Sequence, residues 1–313
     1  MDLTAEKISS AILVALLALI VSSCGVDEPA FDRAIYEAEL EQWRSERIAN
    51  LKGPTGYLNL VGLYWLSDGT TRIGSAADND IVFPADAAPY IGELESTPEG
   101  VSLVTAADAD VRYEGIPVSS ILISDDTTAS PVTLTHGSLA WTIIKRDGRF
   151  ALRLRDFEHP AIAAFAPIES YPIDPDLIVT ATLNRFDEPK VMNVNTTIEG
   201  LGYHPESPGS VAFVIGGEAY ELEAYASGES LFFVFGDLTS GRETYPAGRF
   251  LYAEAPDDDG KTILDFNRAY NPPCAFNAFA TCPVASPRNR LKTRIEAGEK
   301  YDPAVHAVPD GYR

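Results

Sequence analysis

The pattern of apolar and polar positions divides most of the chain into one helix followed by many short strands. In residues 30–51, apolar side chains recur at steps of three to five among charged ones, which predicts an amphipathic helix with one buried stripe. From Gly56 to Asn267 the pattern changes to short apolar runs, broken at intervals by glycine, proline, aspartate or asparagine. Such runs are typical of strands and turns. The sequence therefore predicts a mainly β protein with an N-terminal helix.

The strand runs fall into two groups, separated by a segment rich in proline and alanine at residues 160–176. The first group predicts a β-sandwich over residues 55–160. The second predicts a β-barrel-like or half-open antiparallel domain over residues 161–313. Residues 24–54 are expected to form a tether and the amphipathic helix.

Two local signals complete the predicted fold. Gly216 and Gly217 separate two apolar runs and predict a two-residue hairpin turn. Ser286 as the N-cap and Pro287 at the first helical position predict a short C-terminal helix, which Gly298 ends.

The first group of strands is similar to a forkhead-associated β-sandwich. The similarity rests on Ile-Gly-Ser at residues 73–75, on Asn-Asp-Ile-Val-Phe-Pro at residues 79–84, and on the late run of short strands. That family binds phosphothreonine through an arginine and a serine near a histidine. No Ser-x-x-His follows Pro84, so the resemblance implies the fold and a structural role.

The first two dozen residues resemble a bacterial lipoprotein signal peptide. Lys7 precedes an apolar run at residues 11–21, and small residues lead to Cys24 as in a lipobox. The run is too short for a permanent transmembrane helix, although an uncleaved anchor is the alternative. The resemblance implies a signal peptide at residues 1–23 and a lipid on Cys24 that attaches the protein to a membrane. Gly25 follows rather than aspartate, which favours the outer membrane, facing the periplasm.

Charge and motif content exclude several function classes. The net charge is −22, with 46 acidic and 24 basic residues, so the protein repels nucleic acid and no nucleic-acid partner is expected. The sequence has no Gly-x-Ser-x-Gly elbow, no His-Glu-x-x-His motif and no phosphate-binding glycine loop, and its four histidines are scattered. We therefore expect neither a cofactor nor a metal.

Residues 264–291 carry the densest mixture of polar, aromatic, proline and cysteine residues. They contain Asp-Phe-Asn at 265–267, Ala-Tyr-Asn-Pro-Pro-Cys at 269–274, Cys-Pro at 282–283 and Asn-Arg-Leu at 289–291. This series closely resembles the signature of the bacterial and archaeal family known as domain of unknown function 1684. The resemblance does not imply any particular activity.

The cysteines of this stretch favour a disulfide. With Cys24 lipid-modified, Cys274 and Cys282 form an even pair in an oxidising compartment. A bond between them would close a loop of about nine residues and stabilise the fold by roughly 2.5 kcal/mol on the chain-entropy estimate. The alternatives are a metal site, which needs more than two thiolates, and a catalytic thiol beside a histidine.

The candidate site combines this stretch with polar residues that follow the most apolar run, residues 231–235. The candidates for ligand binding are Asp237, Thr239, Tyr245, Arg249, Asp265, Asn267, Tyr270 and Asn271. A buried arginine among carboxylates and amides forms either a polar network of the core or a binding site for a small polar ligand.

These features favour a lipid-anchored cell-envelope protein that binds a small polar ligand, or a glycan or cell-wall fragment, in its second domain. One alternative is a hydrolase-type enzyme in which Asp265 or Asp237 is the general base, while Arg249 and Asn271 stabilise developing negative charge. A second alternative is a purely structural envelope lipoprotein. Whether the protein is an enzyme stays open at the level of the sequence.

Overall fold

The structure, a computed structural model, describes residues 31–306. The predicted signal peptide at residues 1–23 and the predicted lipidation site at Cys24 lie outside this range. Among the helices of residues 31–306, none is long and apolar enough to cross a membrane.

The predicted amphipathic helix is present as α1, Arg33–Lys52. It begins where the Asp32 carboxylate accepts hydrogen bonds from the amides of Ala34 (3.0 Å) and Ile35 (3.2 Å). These amides lie in the first turn and have no carbonyl partner inside the helix, so the cap stabilises its start. The apolar stripe faces inward, with Leu40 fully buried.

Two sheets packed against each other form the first module, a β-sandwich. Its strands are β1 (Leu60–Trp65), β2 (Gly69–Gly74), β3 (Ile81–Val82), β4 (Gly92–Thr97), β5 (Gly100–Thr105), β6 (Arg112–Tyr113), β7 (Ile116–Pro117), β8 (Ser120–Ile123), β9 (Thr133–His136), β10 (Leu139–Arg146) and β11 (Arg149–Asp156). One sheet has the order β1-β11-β10-β9-β6-β7 and the other β3-β2-β4-β5-β8. Side chains from both sheets, including Leu94, Trp141 and Leu152, share one core. The predicted sandwich is therefore confirmed.

Two strands of this sandwich, β2 and β4, lack the apolar runs on which the strand predictions rest. The inward positions of β4 are Gly92, Leu94 and Ser96. A Cβ at Gly92 would lie 2.2 Å from the carbonyl oxygen of Val104 on the neighbouring strand, so the close approach requires glycine. Because glycine and serine fill two of the three inward positions, the alternation of this strand is not visible as hydrophobicity.

The second module is one curled antiparallel sheet with short helices around it. Its elements are α2 (Pro160–Ala164), β12 (Ile178–Val191), β13 (Val194–Asn195), β14 (Gly202–Tyr203), β15 (Glu206–Ile215), β16 (Glu218–Ser227), β17 (Ser230–Phe235), β18 (Arg249–Ala253), β19 (Lys261–Asp265) and α3 (Pro303–His306). The main sheet has the order β18-β17-β16-β15-β12-β19, and its two edge strands approach each other. The predicted half-open antiparallel form is confirmed, while β13 and β14 pair as a separate ribbon.

The turn between β15 and β16 is the two-residue hairpin that the sequence predicts. Gly216 and Gly217 occupy it with φ angles of 59° and 84°. Both angles lie in the left-handed region, which glycine adopts without a steric penalty.

The predicted helix that starts at Ser286 is wrong in position, since the short C-terminal helix is α3. A single 3-10 turn, Pro287–Asn289, follows the Ser286 cap. Beyond it the backbone bonds to another segment, because the Gly236 amide donates to the carbonyl of Asn289 (2.8 Å) and the Gly236 carbonyl accepts from the amide of Leu291 (2.8 Å). These groups would otherwise form the helical ladder, so the chain stays extended.

The side chain of Asn289 gives a direct test of this arrangement. Its oxygen accepts from the Glu223 amide (2.8 Å), and its nitrogen donates to the carbonyls of Glu223 (3.0 Å) and Val234 (3.1 Å). Asn289→Ala leaves these buried backbone groups without partners, so we expect the free energy of unfolding to fall by about 3 kcal/mol in a denaturant titration. The exposed neighbour provides the control, since Arg288→Ala should change it by less than about 0.5 kcal/mol. Equal losses in the two variants would contradict this role of Asn289.

Candidate functional site

A cleft of about 820 Å³ lies between α1 and the face of the second sheet that is turned away from its main core. Its volume is within the range of about 300–1,000 Å³ that is common for small-molecule sites. The principal lining side chains are Trp43, Glu46, Arg47, Asn50, Phe250, Tyr252, Glu254, Asp265, Arg268 and Tyr270.

Tyr252 and Tyr270 form an aromatic surface inside the cleft. Their ring centroids are 6.4 Å apart and their planes differ by 11°. Phe250 and Trp43 meet the Tyr270 ring edge-on, at 5.8 and 6.1 Å. Burial raises the pKa of Tyr270, so its phenol stays neutral, whereas Tyr252 leaves 49% of its surface exposed. The exposed Tyr252 ring therefore offers an aromatic face to a ligand, with the Tyr270 ring beside it.

Arg47 joins α1 to the chain on the other side of the cleft. Its guanidinium hydrogen-bonds both carboxylate oxygens of Glu299, and its Nη2 donates to the carbonyl of Asn271 (2.8 Å). It also lies 4.3 Å from the centroid of the Tyr270 ring. The side chains of Arg47 and Glu299 are 12% and 6% exposed, so this is a largely buried pair that neutralises its own charge.

Asp265 lies at the wall of the cleft, with its carboxylate already engaged. Its oxygens accept from the Tyr36 hydroxyl (2.9 and 2.8 Å), from the amide of Asn267 (3.1 Å) and from Nε of Arg268 (3.1 Å). Burial and the neighbouring carboxylate raise the pKa of Tyr36, so the hydroxyl keeps the proton that it donates. Asp265 thus caps the turn after β19 and binds the first turns of α1.

Asp237 and Arg249 form a second, separate cluster in the core. Nη2 of Arg249 lies 3.6 Å from Oδ1 of Asp237, and the two side chains are 1% and 0% exposed. Asp237 accepts from the Ile295 amide (2.6 Å) and the Thr239 hydroxyl (2.7 Å). Arg249 donates to the carbonyls of Ile295 (2.9 Å) and Ala297. The cluster holds the extended C-terminal segment against the end of β17.

The two predicted asparagines bind backbone groups. Asn267 is bonded to both the amide and the carbonyl of Asp174, each at 2.9 Å. Asn271 donates through Nδ2 to the carbonyl of Lys300 (2.7 Å), and its backbone amide donates to the Glu299 carboxylate (2.7 Å). Both asparagines therefore hold neighbouring segments against residues 264–291.

The structure thus separates the predicted site residues. Asp265 and Tyr270 line the cleft, whereas Asp237, Thr239 and Arg249 form the core cluster. Sequence reasoning missed cleft residues from α1, from β18 and from the position after β18, namely Trp43, Glu46, Arg47, Asn50, Phe250, Tyr252 and Glu254. The available signal was the spacing of Trp43 and Arg47, which places both on one face of α1.

Cys274 and Cys282 are both free thiols in the structure. The amide of Cys274 donates to the Cys282 sulfur (3.2 Å), and the hydroxyl of Tyr245 donates to the carbonyl of Cys274 (3.2 Å). The two cysteines are therefore neighbours, and the disulfide stays a prediction. Within residues 31–306, no group of three or more His, Cys, Asp or Glu residues is arranged to hold a metal ion.

Comparisons with known proteins find one matching family and several similar solved structures. The family described as a protein of unknown function, DUF1684, matches residues 163–300. An uncharacterised protein from gene locus rrnAC0354 of Haloarcula marismortui is 30% identical, over 45% of this chain and 79% of that one, with a TM-score of 0.38. The FHA-2 domain of the Mycobacterium tuberculosis ABC transporter Rv1747 is 30% identical, over 28% of this chain and 77% of its own, with a TM-score of 0.21. No curated protein matches the chain.

The core cluster and the cleft should respond differently to substitution. Arg249→Met removes a buried charge. The Asp237 carboxylate loses its ion-pair partner and the carbonyls of Ile295 and Ala297 lose their hydrogen-bond donor, so the free energy of unfolding should fall by about 3–5 kcal/mol. Tyr252→Ala removes a half-exposed ring and should cost less than about 1 kcal/mol. Denaturant titration of both variants measures the difference. A loss below about 1 kcal/mol for Arg249→Met would contradict a folding role of the cluster.

Proposed function

Because the family that matches residues 163–300, DUF1684, consists of proteins of unknown function, we propose the function of this chain from the cleft: it binds a small polar ligand, a glycan or cell-wall fragment, between α1 and the second sheet. The observation that supports this most is the aromatic surface of Tyr252 and Tyr270. A sugar ring has C–H groups on its faces and hydroxyls around its edge. Its face packs on an aromatic ring, while its edge needs polar partners.

The rim of the cleft supplies such partners. Glu46 and Glu254 bring carboxylates that accept hydrogen bonds from hydroxyls, and the Asn50 amide both donates and accepts. An aromatic floor with a few polar groups above it is the usual composition of a small-ligand site.

The charge of the cleft disfavours an anionic ligand. Arg47 and Arg268 are its two arginines, and each is already paired with a carboxylate. Glu46 and Glu254 add negative charge at the rim, in a protein whose net charge is −22. A neutral sugar avoids the repulsion that a phosphate or a nucleic acid would meet.

We propose binding rather than turnover. The hydrolase alternative needs Asp237 or Asp265 as a general base, with Arg249 near developing charge. Asp237 and Arg249 are buried in the core cluster, away from the cleft. The oxygens of Asp265 already accept hydrogen bonds from the Tyr36 hydroxyl (2.8 Å) and from Nε of Arg268 (3.1 Å), so they are not free to take a proton from a ligand.

The proposal includes the location of the protein. The sequence signal for a lipid on Cys24 would attach the chain to the outer membrane, facing the periplasm. A tethered binding module in that compartment has cell-wall glycan within reach. This supports a glycan as the ligand class.

Calorimetric titration of the full-length protein with an N-acetylglucosamine trimer and with a neutral glucose trimer tests the proposal. We expect saturable binding of at least one probe, weakened at least tenfold by Tyr252→Ala, because the variant loses the stacking surface. Phe157→Ala is the matched control, since Phe157 is an exposed aromatic residue outside the lining of the cleft and should bind normally. Absence of binding to both probes, or equal binding by Tyr252→Ala, would favour the structural alternative.

A further inference from the structure

The segment of residues 274–282, here called the thiol loop, connects several parts of the molecule. Nδ2 of Asn277 donates to the carbonyl of Leu60 on β1 (2.9 Å), which joins the loop to the first module. Phe276 packs edge-on against Phe165, with the ring centroids 5.4 Å apart. Changes in the loop therefore reach the contact between the two modules.

The ends of the thiol loop are fixed, and they hold the two sulfurs together. The 3-10 turn Pro273–Ala275 positions Cys274, with proline restricting the backbone before it. At the other end the carbonyl of Cys282 accepts from the amide of Thr197 (2.9 Å). The backbone amide of Cys274 donates to the Cys282 sulfur (3.2 Å), so the two cysteines are neighbours while the loop is folded.

The two thiols differ in reactivity. Cys274 is partly exposed, whereas Cys282 is buried. Hydrogen bonding with the neighbouring Cys282 thiol lowers the pKa of Cys274, although Cys274 is partly buried. Burial raises the pKa of Cys282, although the buried Arg153 guanidinium lowers it in part. Cys274 is therefore the thiol that ionises first and that a reagent can reach.

We infer that Cys274 and Cys282 form a reversible disulfide site in which Cys274 reacts first. The Cys274 thiolate attacks one sulfur of an external disulfide, such as oxidised glutathione, and displaces one thiolate while a mixed disulfide forms. Cys282, after loss of its proton, attacks the Cys274 sulfur and displaces the second thiolate. The protein loses two protons and two electrons, and the external disulfide becomes two thiols.

The internal disulfide would link the first and last residues of the thiol loop. Closing a short loop removes conformational freedom from the unfolded chain and stabilises the folded one. The same loop contacts β1 and Phe165, the residue that follows α2, so the stabilisation extends to the junction of the modules. Redox state thereby sets the rigidity of that junction, independently of any ligand in the cleft.

The test uses full-length protein in a non-ionic detergent, equilibrated in glutathione buffers of increasing oxidised fraction. Samples are quenched with acid, which protonates the thiols, then redissolved at neutral pH with excess N-ethylmaleimide to block them, and analysed by peptide mass spectrometry. We expect a linked peptide that joins Cys274 to Cys282, which dithiothreitol reverses, and a melting temperature about 5 °C higher in the oxidised protein. No linked peptide at any buffer ratio would overturn the proposal.

The order of reaction is tested with single-cysteine variants at the site. Cys282→Ser keeps a hydroxyl that donates to the Cys274 sulfur, and Cys274→Ser leaves the buried thiol. Glutathione adducts should form on Cys274 in the first variant at least tenfold faster than on Cys282 in the second. Both variants should show no change in melting temperature between oxidised and reduced buffers. A faster adduct on Cys282 would overturn the assignment of Cys274 as the first to react.

Discussion

The Arg47 guanidinium ties three separate parts of the chain together, and the cleft depends on this contact. It bonds the carboxylate of Glu299 and the carbonyl of Asn271, and it lies over the ring of Tyr270. A charge with so little exposure is stable when its hydrogen bonds are satisfied, and here they are. As a result, α1 lies above one face of the second sheet but covers it only in part. The ring of Tyr252 on that face stays exposed beside the helix.

The same principle explains the polar density of the last third of the chain. After β19 the backbone has little regular structure, so its amides and carbonyls need partners from side chains. Asn267, Asn271 and Asn289 supply them, as do Asp237 and Arg249. Residues 264–291 have the composition of a binding site, but most of their polar side chains form hydrogen bonds that hold an irregular backbone in place. The binding surface lies beside it, where Tyr270 meets β18.

The parts of the fold that follow a period could be predicted from the sequence. The stripe of α1, the buried run of β17 and the glycine turn at 216–217 each have a local signal. β4 has none, because Gly92 and Ser96 fill inward positions, and the chain after Ser286 has the signal of a helix that tertiary hydrogen bonds override. The cleft could be predicted only in part, since Tyr252 belongs to it through contact with a helix about two hundred residues earlier in the chain.

The Arg47 contact holds α1 over the second sheet and so forms the cleft. Hydrogen exchange of the full-length protein and of its Arg47→Met variant measures this directly, because the variant keeps much of the side-chain packing and loses the bonds to Glu299 and Asn271. In the variant, amides of α1 should lose at least about tenfold in protection, equal to about 1.4 kcal/mol, while those of β15 and β16 keep theirs. Unchanged protection of α1 would contradict it.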